Sequence, residues 1–420
     1  MLLICGFAFG GTIKEFKLKN NIKVIFDKTD GIEVVSMKIF TPVAAAAETR
    51  ENSGISLLTS NLMVKSTKNR DNKTLAADID DIGADVSVSA DYDAQHITIN
   101  FLPEYFDKAS EILSDIIKNP AFDENEIAAE KRDIIAGQNS RKDRIFNTAL
   151  DTFTLNFYKD HPYALTVLGT EESIKAITKE DILKWHSYSF NAGNILISIS
   201  GNTDKKTLKA CLEKYFGGME KGVKYEPAKS GTESRESKII DIKGKFNQAY
   251  IMKGFAAPDL KDEDFVSLKT ASAVMGGRMT SRLFTELREK LGLAYEVNAI
   301  YPSRKDESYF MVYIGLDKKN IDLALKKIDE ILNDLCDNEV SRQELEDTKT
   351  YIKGLYIMDR QTVEKKAYYY GWREITGQGY AYDGKYLEDI DGVTSSGLKR
   401  AANKIFKKNS LTVIVRPDEK

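Results

Sequence analysis

Few side chains in this sequence are spaced to do metal or nucleophilic chemistry. His96, His161 and His186 stand far apart in a chain of 420 residues, and no two share a helical turn. Paired histidines grip one ion when they lie a turn apart on one helix face, so a histidine metal site made within this chain is all but excluded. Cys5, Cys211 and Cys336 are equally dispersed, which argues against a disulfide framework and a cysteine zinc site. Gly276-Gly277 would suit a phosphate cradle, yet no Lys-Ser/Thr follows and no strand leads in. The pair reads instead as the end of a helix over Phe265–Met275. His96 and His186 read as partly buried, satisfied histidines.

One local arrangement permits an arginine and a tyrosine to stand side by side. Leu283, Phe284, Leu287 and Leu291 form an apolar helical stripe, and Gly292 is placed to end that helix. Tyr295, Val297 and Ala299 then alternate as on one face of a strand. A helix turning back into a strand can set Arg288 beside Tyr295. Taken by themselves, Arg288 is a helix-surface residue and Tyr295 a core strand tyrosine.

The elements that would carry these residues come in two copies. Ile177-Thr178-Lys179-Glu180-Asp181-Ile182-Leu183 followed by Asn194–Ile199 reads as a helix start and a short apolar strand. Val393-Thr394-Ser395-Ser396-Gly397-Leu398 followed by Leu411–Val415 repeats it 216 residues on, Ile177 against Val393. The predicted helix pair Ala109–Asn119 and Glu124–Ala136 has its counterpart in Ile321–Leu335 and Ser341–Gly354. The first helix of each pair has an apolar stripe: Phe106, Ala109, Ile112, Leu113 and Ile116 in one, Leu323, Leu325, Ile328, Ile331 and Leu332 in the other. Strand alternation is clean at Ile97, Ile99 and Phe101, at Tyr250, Met252 and Gly254, and at Tyr309, Met311 and Tyr313. Strands and helices are grouped rather than strictly alternating. The fold expected is α+β: a tandem duplication of two similar domains, each a mixed or antiparallel sheet with helices on one face. The first domain spans 11–216 and the second 238–420. The Gly-, Ser- and Lys-rich stretch 217–237, which has no apolar period, is the linker.

Composition excludes several classes. Lys plus Arg is 61 against 64 Asp plus Glu, a net charge of −3. Nucleic-acid affinity needs clustered positive charge, so no nucleic-acid partner is expected. Leu2–Phe9 is too short to span a bilayer, which takes roughly 20 apolar residues. Residues 1–10 resemble the remnant of an export signal, with Ala8-Phe9-Gly10 as a small-x-small cleavage site. They lack the basic start of such a signal, which leaves a first strand as the other reading. A periplasmic or otherwise exported location follows from the first reading and a cytoplasmic one from the second.

The run Gly276-Gly277-Arg278-Met279-Thr280-Ser281-Arg282-Leu283-Phe284-Thr285-Glu286-Leu287-Arg288-Glu289-Lys290-Leu291-Gly292-Leu293-Ala294-Tyr295 resembles the second-half signature of the pitrilysin/insulinase zinc peptidases. That family includes the mitochondrial processing peptidases and their bacterial relatives. Gly54 to Thr67, His161-Pro162-Tyr163, Leu168-Gly169-Thr170 and Gly201-Asn202 fit the same pattern. The resemblance spans essentially the whole chain and implies a half clam-shell of two such domains. It also marks a departure. Peptide-cleaving members carry His-x-x-Glu-His on a first-half helix, whose histidines bind zinc and whose glutamate deprotonates the metal-bound water. Here the histidine positions fall on Leu57 and Asn61, the glutamate on Ser60, and the third ligand, a glutamate on a later helix, on Gly137. Leu57, Leu58 and Leu62 then read as helix core.

What the resemblance leaves intact is the pair Arg288 and Tyr295. In the family these reach across from the non-metal half to the substrate, where an arginine can donate to a peptide carbonyl and a tyrosine to the developing oxyanion. The implied function is the non-metal subunit of a two-chain zinc endopeptidase acting on peptides or unfolded segments. No cofactor is expected in this chain, and zinc is expected in a homologous His-x-x-Glu-His partner. The alternative is an inactive assembly protein, as in respiratory-complex core proteins of the same family. Purified alone, the chain should hold no stoichiometric zinc by elemental mass spectrometry and cleave no quenched peptide.

Overall fold

The computed structural model describes residues 13–227 and 236–418. The export reading of residues 1–10, and Cys5, lie outside them. The first half begins with β1 (Ile13–Lys17), β2 (Lys23–Lys28) and β3 (Val35–Thr41), then α1 (Ile55–Met63) and α2 (Asn72–Asp80). The hairpin β4 (Asp85–Ala90) and β5 (Gln95–Phe101) leads into α3 (Phe106–Lys118), α4 (Glu124–Lys142) and α5 (Ile145–Tyr158). Then come α6 (Glu171–Ala176), α7 (Lys179–Ser189), β6 (Leu196–Gly201) and α8 (Lys205–Phe216). The second half runs β7 (Lys238–Gly244), β8 (Ala249–Ala257), α9 (Phe265–Met275), a π-helical turn Phe284–Lys290, β9 (Ala294–Ile300) and β10 (Ser308–Leu316). It closes with α10 (Ile321–Asp337), α11 (Arg342–Met358), α12 (Val363–Thr376), α13 (Tyr382–Asp391), α14 (Ser395–Phe406) and β11 (Ser410–Pro417).

The duplication is written into the sheets. The first has the order β1-β2-β6-β3-β5-β4 and the second β7-β11-β8-β10-β9. Without β1 the two orders correspond strand for strand, and each sheet has a single parallel pair, β2 with β6 and β7 with β11. The repeated helix starts are both capped by threonine: Thr178 accepts from the Asp181 amide at α7, Thr394 from the Gly397 amide at α14. The α10 stripe is rotated from the expected one. Ile321, Ala324, Ile328 and Leu335 are buried, whereas Leu323 is exposed.

Helices were expected on one face of each sheet, and both faces are covered. β3 and β10 are buried at every position, so each sheet presents apolar side chains to two layers. The second layer comes from the opposite half. α12 lies on β2, β3 and β6, and α5 lies on β8 and β11. Two glycines permit this approach. A Cβ on Gly371 of α12 would stand 2.2 Å from the Phe40 ring, and one on Gly254 of β8 would stand 2.2 Å from the Phe153 ring of α5. Polar groups fix the α12 contact further: the buried Ser198 hydroxyl donates to the Ala367 carbonyl at 2.7 Å, and the buried Lys38 ammonium reaches Thr98 Oγ1 at 2.7 Å and Glu364 at 3.3 Å.

The halves are also joined at a loop. Arg304 packs against the rings of Tyr92 and Tyr163, 4.2 and 5.3 Å from their centroids, and pairs with Asp91 at 3.2 Å. Asp93 accepts from the Tyr163 hydroxyl and from the Lys305 amide. The start of the segment read as linker is held to the first half, with Ala192 and Gly193 donating to the carbonyls of Glu220 and Lys221, and Asn194 bonded to Val223 and Tyr225. Met219 and Tyr225 of this stretch also pack against the first-half core.

Gly371→Ala tests the crossed packing. Helix propensity alone favours alanine by ~1 kcal/mol, and at Gly354 of α11, where a Cβ meets nothing within 4 Å, the same change should stabilise. At Gly371 the clash with Phe40 should outweigh that gain and leave a net loss of about 1–3 kcal/mol in chemical denaturation.

Candidate functional site

The four metal-motif positions lie on α1 and α4, which pack together. α1 starts at Gly54, whose φ of +90° turns the chain into the helix. The Glu48 carboxylate accepts from the Gly54 and Ser56 amides at 2.7 and 2.8 Å, satisfying donors that a helix start leaves open. Leu58 and Leu62 enter the first-half core as expected. Leu57 does not; it is only half-buried, because the positions one turn apart with Asn61 face away from the sheet.

Each polar group at the motif is committed elsewhere. The Ser60 hydroxyl bonds Gln95 Oε1 at 2.5 Å, and Gln95 Nε2 donates to the Val43 carbonyl at 2.6 Å. Asn61 Nδ2 donates to Glu130 Oε1 at 2.7 Å, while Lys65 sits 3.3 Å from Glu130 Oε2. Gly137 lies on the same helix as Glu130, and a Cβ there would meet nothing within 4 Å. A hydrocarbon at 57, a donating amide at 61 and no side chain at 137 do not fit a zinc ion. Among the described residues there is no group of three His, Cys, Asp or Glu placed to hold a metal.

Sequence reasoning singled out the motif positions and missed the residues bonded around them and around the start of α1: Glu130, Gln95, Lys65 and Glu48. Glu130 had a signal, since it precedes Gly137 by seven residues and two helical turns keep it on one face. Gln95 had none, because its contact depends on how β5 meets α1.

Arg288 and Tyr295 lie at the edge of the second sheet. Leu283 and Leu287 are buried, and the amide of Leu293 donates to the Leu287 carbonyl at 2.8 Å while that of Gly292 donates to Arg288 at 3.2 Å. The turn is thus wider than an α-helix, a geometry that recurs at functional sites. Gly292 takes φ +61° and hands the chain to β9. Arg288 is exposed, its guanidinium 5.0 Å from the Phe284 ring centroid, and has no carboxylate partner among the described residues. Tyr295 is 61% exposed, so its reading as a core tyrosine is corrected: β9 is the outermost strand, and Tyr295 is left unpaired at a bulge between Ala294, opposite Leu316, and Glu296, opposite Gly315. The stripe is correspondingly narrower than expected, with Leu291 exposed and Phe284 half-buried.

Among the described residues, no histidine bonds a motif position, Arg288 or Tyr295. Burial lowers His96 to about 3, with the Lys38 charge adding to the effect, so it is neutral. His186 is lowered by burial and bonds the Ile117 carbonyl at 2.8 Å. His161 accepts from the Tyr163 amide and faces Asp306, within the joint between the halves.

Comparison with known proteins accords with this geometry. Residues 23–171 match the model described as Insulinase (Peptidase family M16), and residues 176–352 that of the Peptidase M16 inactive domain. The chain belongs to peptidase family M16. An uncharacterized zinc protease of Rickettsia felis is 29% identical, covering 96% of this chain and 97% of the relative. A non-peptidase homolog, YmxG, of Helicobacter pylori is 26% identical over 64% of this chain and 62% of its own. The crystal structure of a protease from Helicobacter pylori superimposes with a TM-score of 0.91 at 22% identity, covering 97% of this chain and all of that one, a likeness of fold. M16 sequences therefore include relatives named for zinc proteolysis and one named for its absence. This member has the M16 fold with no ligand set at the motif positions.

Glu48 gives α1 a pH dependence. Burial raises its carboxyl to about 7 from an ordinary 4.5, against the opposing pull of the Ser56 and Gly54 hydrogen bonds. The folded chain thus holds this proton longer than the unfolded one, so the contribution to stability is complete below about 4.5 and is lost as pH rises through about 7. The melting temperature of the native chain should therefore fall as pH rises from about 4.5 to about 7, and Glu48→Gln, which has no charge to titrate, should flatten that part of the profile in scanning calorimetry.

Proposed function

We propose that this M16 chain is the non-metal subunit of a two-chain zinc endopeptidase and lends Arg288 and Tyr295 to a partner's site. The observation that carries this reading is a contrast. Every metal-motif position holds a residue unable to serve a metal, and its neighbours are knit into other hydrogen bonds. At the same time a cation and a phenol stand uncovered where the π-helical turn meets an edge strand. A guanidinium without a carboxylate partner and an exposed phenol hydroxyl are both available as donors.

Metal chemistry belongs to the partner in this scheme. Arg288 would donate to a substrate carbonyl and hold the chain in place, and Tyr295 would donate to the oxygen that gains charge on attack. The peptide itself would lie along a sheet edge of the partner, adding a strand. Two chains closing on one another restrict substrates to peptides and unfolded segments.

An assembly role without proteolysis is favoured by the same non-ligating residues at 57, 60, 61 and 137. The two readings part on the exposed pair, which a scaffold does not require. Reconstitution with a His-x-x-Glu-His relative separates them. Cleavage of a quenched peptide should need both chains, and Arg288→Ala should lower kcat/KM with assembly by sedimentation unchanged. Tyr295→Phe should act mainly on kcat, lowering it by roughly 10²–10³-fold, the range for loss of an oxyanion donor. Full activity in both variants would overturn the role given to the pair, and no mixed complex at any concentration would leave the assembly role.

A further inference from the structure

The second half has its own counterpart of the α1/α4 place. By the strand correspondence, α9 and α11 of the second half stand where α1 and α4 stand in the first, and they too pack together. Between them and α12 lies a cavity of about 840 Å³. Its wall is aromatic, with Phe265, Tyr356, Tyr368, Tyr369 and Trp372, and Lys269 of α9 lines it. The Lys269 ammonium donates to the Tyr301 carbonyl at 2.5 Å and stands 5.4 and 5.2 Å from the Phe265 and Tyr301 ring centroids. Among the described residues no carboxylate pairs with it.

Charge in the wall is unbalanced. Arg360 and Arg373 share one carboxylate, Asp383, at 2.7 and 2.8 Å. The acids that line the cavity are already matched, Asp91 with Arg304 and Asp359 with Lys365. Lys269, Arg360 and Arg373 against Asp383 leave the cavity positive. Burial, with the Arg304 and Arg373 charges behind it, lowers Lys269 to about 7. An ammonium in such a place is expensive until an anion joins it. The space is large enough for a ring and its backbone, and flat aromatic walls suit an aromatic guest.

We propose that this cavity docks the free carboxyl terminus of a peptide ending in an aromatic residue, with Lys269 as the carboxylate's partner. The ring packs against Tyr368 and Trp372, since the Arg360 guanidinium already lies over the Tyr356 and Tyr369 rings, 3.4 and 3.8 Å from their centroids, and the surplus positive charge of the wall accepts the anion. That the carboxylate belongs to a peptide rests on the peptide-handling reading above. The binding itself is a property of the single chain, so its failure is distinguishable from failure of the two-chain assay.

Titration calorimetry on the full chain alone tests it, using acetyl-Ala-Phe as free acid, the same peptide as C-terminal amide, and 3-phenylpropanoate. The acid should bind at least roughly tenfold tighter than the amide, the ratio for one charge-assisted hydrogen bond. Lys269→Met, close in length and apolar, should erase that preference. Equal binding of acid and amide by the native chain overturns the proposal whether or not the variant folds. So does a preference that survives in Lys269→Met. If 3-phenylpropanoate binds as tightly as the peptide acid, the guest is a small aromatic acid and the peptide assignment falls. If binding is lost in step with self-association by sedimentation, the cavity belongs to a second copy of the chain.

Discussion

The structure depends on a mutual loan of helices. Each half builds a sheet with two apolar faces but only enough of its own helices to cover one. α12 closes the first sheet, α5 closes the second, and neither half can bury its strands alone. Burial of large apolar side chains is the main favourable term in folding, so the exchange ties the geometry of one half to that of the other more firmly than a covalent linker could. Loop contacts such as Arg304 between Tyr92 and Tyr163 set the angle between halves that the exchanged helices have already brought together.

That constraint explains which parts could be read in advance. The duplication, the capped starts of α7 and α14, and strands such as Ile97–Phe101 were legible because local periodicity and caps are properties of a few neighbouring residues. The exchange was not legible. Nothing in Val363–Thr376 announces that it covers β3 rather than its own sheet, and Gly371 reads as an ordinary weak point until Phe40 is seen beneath it. Leu323 and Leu57 show a smaller version of the same limit. Their apolar type was visible, but whether they face the core depends on how far the helix is rotated about its axis.

The candidate site divides along the same line. Residue identity alone disposes of metal chemistry at Leu57, Ser60, Asn61 and Gly137, because chemistry there is a matter of atom types. The network that took its place, Ser60 with Gln95 and Asn61 with Glu130, joins residues far apart in sequence and needed the packing of α1, α4 and β5 to become visible. Arg288 and Tyr295 sit between these cases. Their places on either side of Gly292, in the turn and at the start of β9, followed from a helix stop and a strand start. Their exposure followed from β9 being outermost and from the widened turn that carries Arg288.

The loan of α12 also has a consequence in time. β6 is complete at residue 201, but the helix that seals the face of its sheet begins only at residue 363. At ordinary elongation rates that interval lasts roughly ten to thirty seconds. During synthesis the nascent first half therefore carries a bare apolar surface centred on Ile25, Phe40 and Leu196. Ribosome-associated chaperones are matched to such a surface, and a chain released before residue 376 would leave it open for good.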